Sequence, residues 1–265
     1  MTISSILTTS QPEDGLAIRS VERAVDVLTY LGRADAAASV TDMQRVLGLS
    51  RPTLYRLLHT LEKKGLVRSV GDPQRFQLDY RVVELSSAWL GRNDVVSVAQ
   101  RHLSALWRDT DETVAMFVPG DPSTKVCVQE MPSRQALVFT RGVGFTEPMT
   151  VGSSGKAILA FMPAADIEAV LAATAEAAER SAIRRDIETI RCDGYSISTG
   201  EIIAGAVSMA APVFGRGGAV AASISLFGPE ARITGEHRAA CLGRLRQAAR
   251  EISMANGHRP ATAAE

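Results

Sequence analysis

The 265-residue sequence predicts an α+β chain. It has an N-terminal winged helix-turn-helix, a linker helix and a C-terminal α+β domain with a largely antiparallel sheet. Three observations carry this. Val40–Leu78 reads as two short helices joined at a glycine, followed by a β-hairpin, the layout that presents a helix to a DNA major groove. The second of those helices is basic on the side away from its leucines. From Thr113 onward, short β-prone runs alternate with helical stretches, the pattern of an α+β domain.

The elements follow in order. Ser20 is placed to cap a first helix with Val21, Ala24, Val25, Leu28 and Leu31 at helical spacing, ended by Gly32 and the Ala/Ser-rich run after Arg33. Thr41-x-x-Gln44 has the form of a capping box, and Gly48 supplies the left-handed residue that closes a short helix. Ser50 caps the third helix, with Pro52 in its first turn. At 100° per residue, Leu54, Leu57, Leu58 and Leu61 share the core side. Pro52, Arg56, His59 and Lys63 fall opposite, flanked by Arg51, Thr53 and Tyr55. Leu66–Val70 and Arg75–Leu78 form a wing turning at Gly71–Pro73, with Arg68 and Arg75 on or near it. Leu78–Leu90 is a connecting helix stopped near Gly91, and Asp94–Thr110 is a further helix. Its stripe, with His102 and Trp107, reads as core or dimer packing. Strands follow at Thr113–Val118, Lys125–Glu130 and Ala136–Thr140, and helices at Ser154–Phe161, Ala164–Ala173 and Arg180–Asp193. Strands Ala206–Val213 and Ala219–Leu226 flank Gly215–Gly218, and a helix over Gly235–Met254 closes the domain.

Charge separates the two parts. Net charge is zero, yet Gln44–Leu78 holds seven basic residues against two acidic ones, the footprint expected where phosphates are met. In that segment Ser50, Arg51, Pro52, Thr53, Tyr55, Arg56, His59, Lys63, Arg68 and Arg75 form the expected double-stranded DNA contact set. Arg56 suits guanine edges or phosphate, Tyr55 and Thr53 suit phosphates, and the capped helix start offers oriented N–H groups. From Tyr80 onward the count is 19 basic to 20 acidic, so the larger part expects a different partner.

Other classes fare poorly. Hydrophobic residues are 46% and charged residues 22%, ordinary for a globular protein, and no apolar run is long enough to span a bilayer. Cys127, Cys192 and Cys241 lie far apart, which disfavours disulfides and a cysteine zinc site and points to the cytoplasm. No cofactor fingerprint appears. Residues 1–17 read as a flexible leader without a basic signal region. An enzyme using Ser153 or Cys127 as nucleophile needs a base, and the histidines past the DNA-reading part (His102, His237, His258) all fall on helical or tail segments. A purely architectural DNA binder would leave the large neutral domain without a purpose.

The best candidate ligand site is Gly152-Ser153-Ser154-Gly155-Lys156. Small residues before a helix let a ligand approach the backbone, and the helix start favours an anion. It is not a P-loop, because Thr150 and Ala157 stand where that motif needs glycine and Ser or Thr. A helix cap without a ligand is the plain alternative.

Ile18–Leu28, the Gly-Leu-Ser-Arg-Pro-Thr-Leu-Tyr-Arg-Leu-Leu run at 48–58 and the wing resemble the isocitrate lyase regulator (IclR) family of bacterial transcription factors. So do Gly155-Lys-Ala-Ile-Leu-Ala160, the Gly194-Tyr195 pair with Glu201, Ala210-Ala-Pro-Val-Phe214 and Ser223-Ile-Ser-Leu-Phe-Gly-Pro229, in order and spacing. The resemblance spans roughly residues 18–255. It implies a GAF-like effector domain, a small organic acid as effector, and a homodimer or dimer of dimers. It adds Ser198, Glu201, Ser208, Ser223 and Ser225 to the pocket set. The family often carries an acidic cluster before the glutamate; here Ser198 stands in its place. The implied organisation is a leader at 1–17, a DNA-binding domain at 18–79, a linker helix at 80–93, an effector-binding and oligomerisation domain at 94–256, and a tail at 257–265.

Overall fold

The structure, a computed structural model, describes residues 18–34, 36–90, 94–121, 123–173 and 176–259. The expected leader at 1–17, the helix stop at Gly91 and the tail from 260 lie outside them. The chain divides between Arg92 and Asn93 into two compact units.

The first unit holds α1 (Arg19–Arg33), α2 (Val40–Leu47), α3 (Arg51–Lys63), the hairpin β1 (Val67–Val70) and β2 (Arg75–Leu78), and α4 (Arg81–Leu90). Four details of the first two helices differ from expectation. Helix α1 begins after an extended Ile18 with no side-chain cap, so Ser20 sits inside its first turn. Gly32 does not end the helix; its Cα faces Leu78 closely enough that a Cβ would lie 3.5 Å from Leu78 Cδ1. The buried stripe is Val27 and Leu31 with Ala24 and Leu28 beside them, while Val21 (56%) and Val25 (54%) are exposed. Val25 is one residue off the i, i+3, i+4, i+7 set that meets the core. In α2 the cap is Ser39, not Thr41. The Ser39 hydroxyl accepts from Asp42 N (3.1 Å) and donates to its carboxylate (2.7 Å). The reason is Val40, whose buried side chain draws the helix start two residues earlier. Gly48 closes α2 at φ 65°, a conformation that favours glycine.

Helix α3 begins as the sequence suggests. Ser50 accepts from Thr53 N, Leu54, Leu58 and Leu61 are buried, and Leu57 packs beside them half-buried. The wing pairs Val67 with Leu78 and Val70 with Arg75. Two ties fix it to the rest of the unit. Phe76 exchanges backbone bonds of 2.8 Å with Ala38, and Glu62 on α3 accepts from both Ser69 N (3.1 Å) and Ser69 Oγ (2.7 Å). The wing is therefore held by a backbone pair at Ala38 and, to α3, by one carboxylate.

The second unit runs α5 (Asp94–Thr110), β3 (Thr113–Pro119), β4 (Thr124–Met131), β5 (Thr146–Pro148), α6 (Gly152–Leu159), α7 (Ala164–Ala172), α8 (Ala177–Asp193), β6 (Ser196–Thr199), β7 (Ala206–Phe214), β8 (Val220–Pro229) and α9 (Gly235–Ala255). Its six-stranded sheet has the order β5-β4-β3-β8-β7-β6, with antiparallel neighbours throughout. Helix α6 lies across β7 and β8 and carries α8 on its back, while α5 pairs with α9. Ala115, Phe117 and Cys127 point to the α6 side, where they join Ile158, Leu159 and Ile187 in one core.

Two strand expectations change. Ala136–Thr140 is irregular, with Leu137 and Val138 exposed. Glu130 draws the chain out of the sheet by accepting from Arg141 N (2.7 Å) and Gly142 N (2.9 Å), and the strand forms later, as β5. Strand β6, which the Ser-Ile-Ser-Thr run does not announce, pairs Ser196 with Ala210 and Ser198 with Ser208. Its register is set by its partner, not by its own composition.

Candidate functional site

On the first unit, Arg51, Pro52, Tyr55, Arg56, His59 and Lys63 are exposed along α3, opposite its buried leucines. Ser50 is exposed, and Thr53 is half-buried with its hydroxyl 2.8 Å from that of Ser50. The Arg51 guanidinium lies 6.0 Å from the Tyr55 ring centroid. On the wing both arginines are exposed but engaged. With the Gln77 amide oxygen turned toward it, Arg68 donates two bonds of 2.8 and 2.6 Å, and Arg75 donates to the Ala37 carbonyl at 3.2 Å. The α3 face thus presents Arg56 and Lys63 to solvent, whereas the wing arginines are tethered.

On the second unit, a cavity of about 40 Å³ lies where α6 begins. Gly152, Ser153, Ser154, Ser198, Glu201, Ser208 and Ser225 from the expected set line it. Two members of that set do not. Ser223 is fully buried and donates to the Ser154 carbonyl (2.9 Å), so it ties β8 to α6. Gly155 faces away from the cavity wall. A Cβ there would lie 2.2 Å from the Met149 carbonyl oxygen and 3.0 Å from Lys125 Nζ. Its smallness serves packing, not ligand approach. Gly155→Ala is accordingly expected to destabilise by at least about 2 kcal/mol in urea or thermal denaturation, because the added methyl meets fixed backbone. In an exposed helix interior the same change would stabilise.

The wall also includes residues the sequence did not flag: Phe117, Phe139, Arg141, Glu147, Ile202 and Phe227. Behind it lies Lys125, 0% exposed, which donates to the Val151 carbonyl and stands 3.5 Å from Glu147 Oε2. Burial lowers its pKa to about 8, against the pull of Glu147. Arg141 approaches the other Glu147 oxygen at 3.4 Å. One signal existed: Lys125 shares strand parity with the buried Cys127, an unusual place for a charge.

Glu201 occupies the anion position at the start of α6. Its carboxylate receives the Ser198 hydroxyl (2.7 Å), Lys156 Nζ (3.2 Å) and the Gly152 N–H. Burial opposes its charge, but those donors outweigh it and hold the carboxyl below its ordinary range. Lys156 also reaches Asp186 on α8 at 2.9 Å. The Ser153 and Ser208 hydroxyls meet at 2.6 Å.

Neither candidate nucleophile is activated. No histidine lines the cavity beside Ser153, and burial pushes the Cys127 thiol up to about 12. Elsewhere Cys241, His237 and Glu112 form a short chain, with Sγ 3.6 Å from His237 Nε2 and that nitrogen 3.6 Å from Glu112 Oε1. Burial holds the Cys241 thiol near 11, and Arg232 claims the Glu112 carboxylate in a two-point pair. His102 bonds Glu251 at 3.0 Å, a packing contact between α5 and α9. Among the described residues no cluster of His, Cys, Asp and Glu could hold a metal ion, and no helix is long and apolar enough to cross a membrane.

Comparison with known proteins places these features in a family. The model for the C-terminal part of bacterial IclR transcriptional regulators matches residues 87–254, and that for the IclR helix-turn-helix domain matches residues 20–71. The HTH-type transcriptional repressor AllR of Klebsiella pneumoniae is 26% identical over 257 residues, 94% of each chain. The HTH-type transcriptional regulator XynR of Escherichia coli K12 is 26% identical over 248 residues, 91% of this chain and 98% of its own. In fold, the chain resembles an IclR transcriptional regulator from Alicyclobacillus acidocaldarius, with a TM-score of 0.80 at 23% identity, covering 91% of this chain and all of the other.

Proposed function

The chain belongs to the IclR family of bacterial transcriptional regulators, and from that premise we propose that it is a repressor whose grip on an operator is changed by a small organic acid. The observation that carries the DNA half is the outward face of α3, where Arg56, His59 and Lys63 stand exposed opposite the core leucines. Arg56 reads base edges, Lys63, Tyr55 and Thr53 hold phosphates, and Arg68 and Arg75 brace the wing on the backbone. Repression is supported by the relatives named repressors. Two copies of the chain, or two pairs, set two such helices on successive major grooves.

The cavity at the start of α6 supports the sensing half: serine hydroxyls, backbone N–H groups and an apolar wall suit a compact acid. Acid binding shifts an equilibrium between two settings of the chain and so alters operator affinity. Coupling is reciprocal, so an acid that weakens operator binding binds less well to operator-bound protein.

The test is a binding titration on DNA fragments from upstream of the chain's own gene and its neighbours, at fixed salt, with and without added acid. A fragment bound on the order of a thousandfold tighter than random duplex, and released by an acid, is the expected result. Binding no tighter than to random DNA on every fragment defeats the DNA reading; tight binding indifferent to all acids defeats the sensing one.

A further inference from the structure

Glu201 bears on how this cavity admits a ligand. It lies in the turn between β6 and β7, and Ile202 beside it reaches α6 so closely that a Cβ on Gly152 would sit 2.7 Å from Ile202 Cδ1. Its carboxylate takes the donors an incoming acid would need: the Ser198 hydroxyl, the Lys156 ammonium and the first N–H of α6. Among the described residues lining the cavity, Arg141 is the one cation, and Glu147 engages it at 3.4 Å. Lys125 is likewise turned to Glu147 and the Val151 carbonyl. A free acid entering here would meet two carboxylates and no unpaired cation.

We propose that Glu201 holds the place that the effector's carboxylate takes, so that acid binding is the exchange of one carboxylate for another. This deepens the organic-acid reading and rests on it. The exchange has two consequences. Because the competing group is tethered, its effective concentration is high, and an acid must bring contacts beyond its carboxylate to displace it. Glu201 therefore sets specificity: a hydroxy or dicarboxylic acid that also reaches the Ser153–Ser208 pair is favoured over a simple one. Displacement also frees the β6–β7 turn from α6, which transmits the event, since Lys156 links that turn to Asp186 on α8.

The experiment is calorimetric titration of the full chain with acetate, lactate, oxalate and malonate, for the wild type, Glu201→Gln and Ser198→Ala. Circular dichroism checks that each variant is folded. Glu201→Gln keeps the shape and removes the charge, and acids are expected to bind it on the order of tenfold tighter. Ser198→Ala removes a donor that both carboxylates use in turn, and is expected to change acid affinity far less than Glu201→Gln does. Acids that bind only Glu201→Gln also support the exchange. Binding to the wild type that is unchanged or weaker in folded Glu201→Gln overturns it and leaves the organic-acid reading standing. Binding of no acid to any of the three proteins overturns that reading, and the exchange with it.

Discussion

Replacing Arg56 and Lys63 together with alanine is expected to lower operator affinity by about a hundredfold or more, without changing the melting of the N-terminal unit. The two side chains share the exposed face of α3, and neither contributes to the core of Leu54, Leu58 and Leu61. Their contributions differ in kind. A base-reading arginine accounts for about 1–3 kcal/mol and its loss relaxes specificity, whereas a phosphate-binding lysine weakens all sequences alike. The measurement is fluorescence anisotropy on the operator and on random duplex across a salt series. The slope of log affinity against log salt should fall by about one for each phosphate that the variant no longer neutralises. Arg68→Ala and Arg75→Ala should each do less, because those guanidiniums already hold Gln77 and the Ala37 carbonyl. Unchanged affinity and slope in the double variant would remove α3 as the reading element.

What the sequence discloses about these sites follows from how local each determinant is. Ser50, Pro52 and the leucines of α3 act within one helix, so capping and 3.6-residue spacing are enough to orient Arg56 and Lys63. Helix α1 shows the limit: Val21 and Val25 have the right character, but which stripe is buried depends on where α2 and the wing meet the helix, and Val27 takes that place. The same division runs through the cavity. Gly152–Ser154 announce a tight helix start, whereas Arg141 and Glu147 arrive there only because Glu130 folds the chain out of the sheet. Gly155 is legible as small but not as to why, since Met149 and Lys125 press on it from outside its own helix. Composition reports that a position is constrained; the partner that constrains it comes from the tertiary fold.

Glu147→Ala is expected to destabilise the C-terminal unit by about 3 kcal/mol at pH 7, while Lys125→Met stays within about 1 kcal/mol of the wild type. Lys125 is wholly buried, with Glu147 as its counter-charge and the Val151 carbonyl as its hydrogen-bond acceptor. Removing the carboxylate leaves an ammonium in a dry site, and Arg141 loses its partner too. Methionine, by contrast, fills a similar volume and carries no charge to desolvate. The pH dependence has a definite sign. The folded-state pKa of Lys125, about 8, lies below its ordinary value of 10.5. Below pH 8 both folded and unfolded chains carry the proton and the burial cost is constant. Between 8 and 10.5 the folded amine has lost its proton while the unfolded one keeps it, so the unfolded state binds more protons and stability rises with pH. Across that window the gain attributable to Lys125 is about 3 kcal/mol. Urea denaturation of the wild type and Lys125→Met at several pH values, compared as a difference, isolates it from other titrating groups. A difference that stays flat from about pH 7 to the ordinary lysine pKa would mean that Lys125 is solvated in solution, and the rigid wall it forms behind the cavity would have to be abandoned.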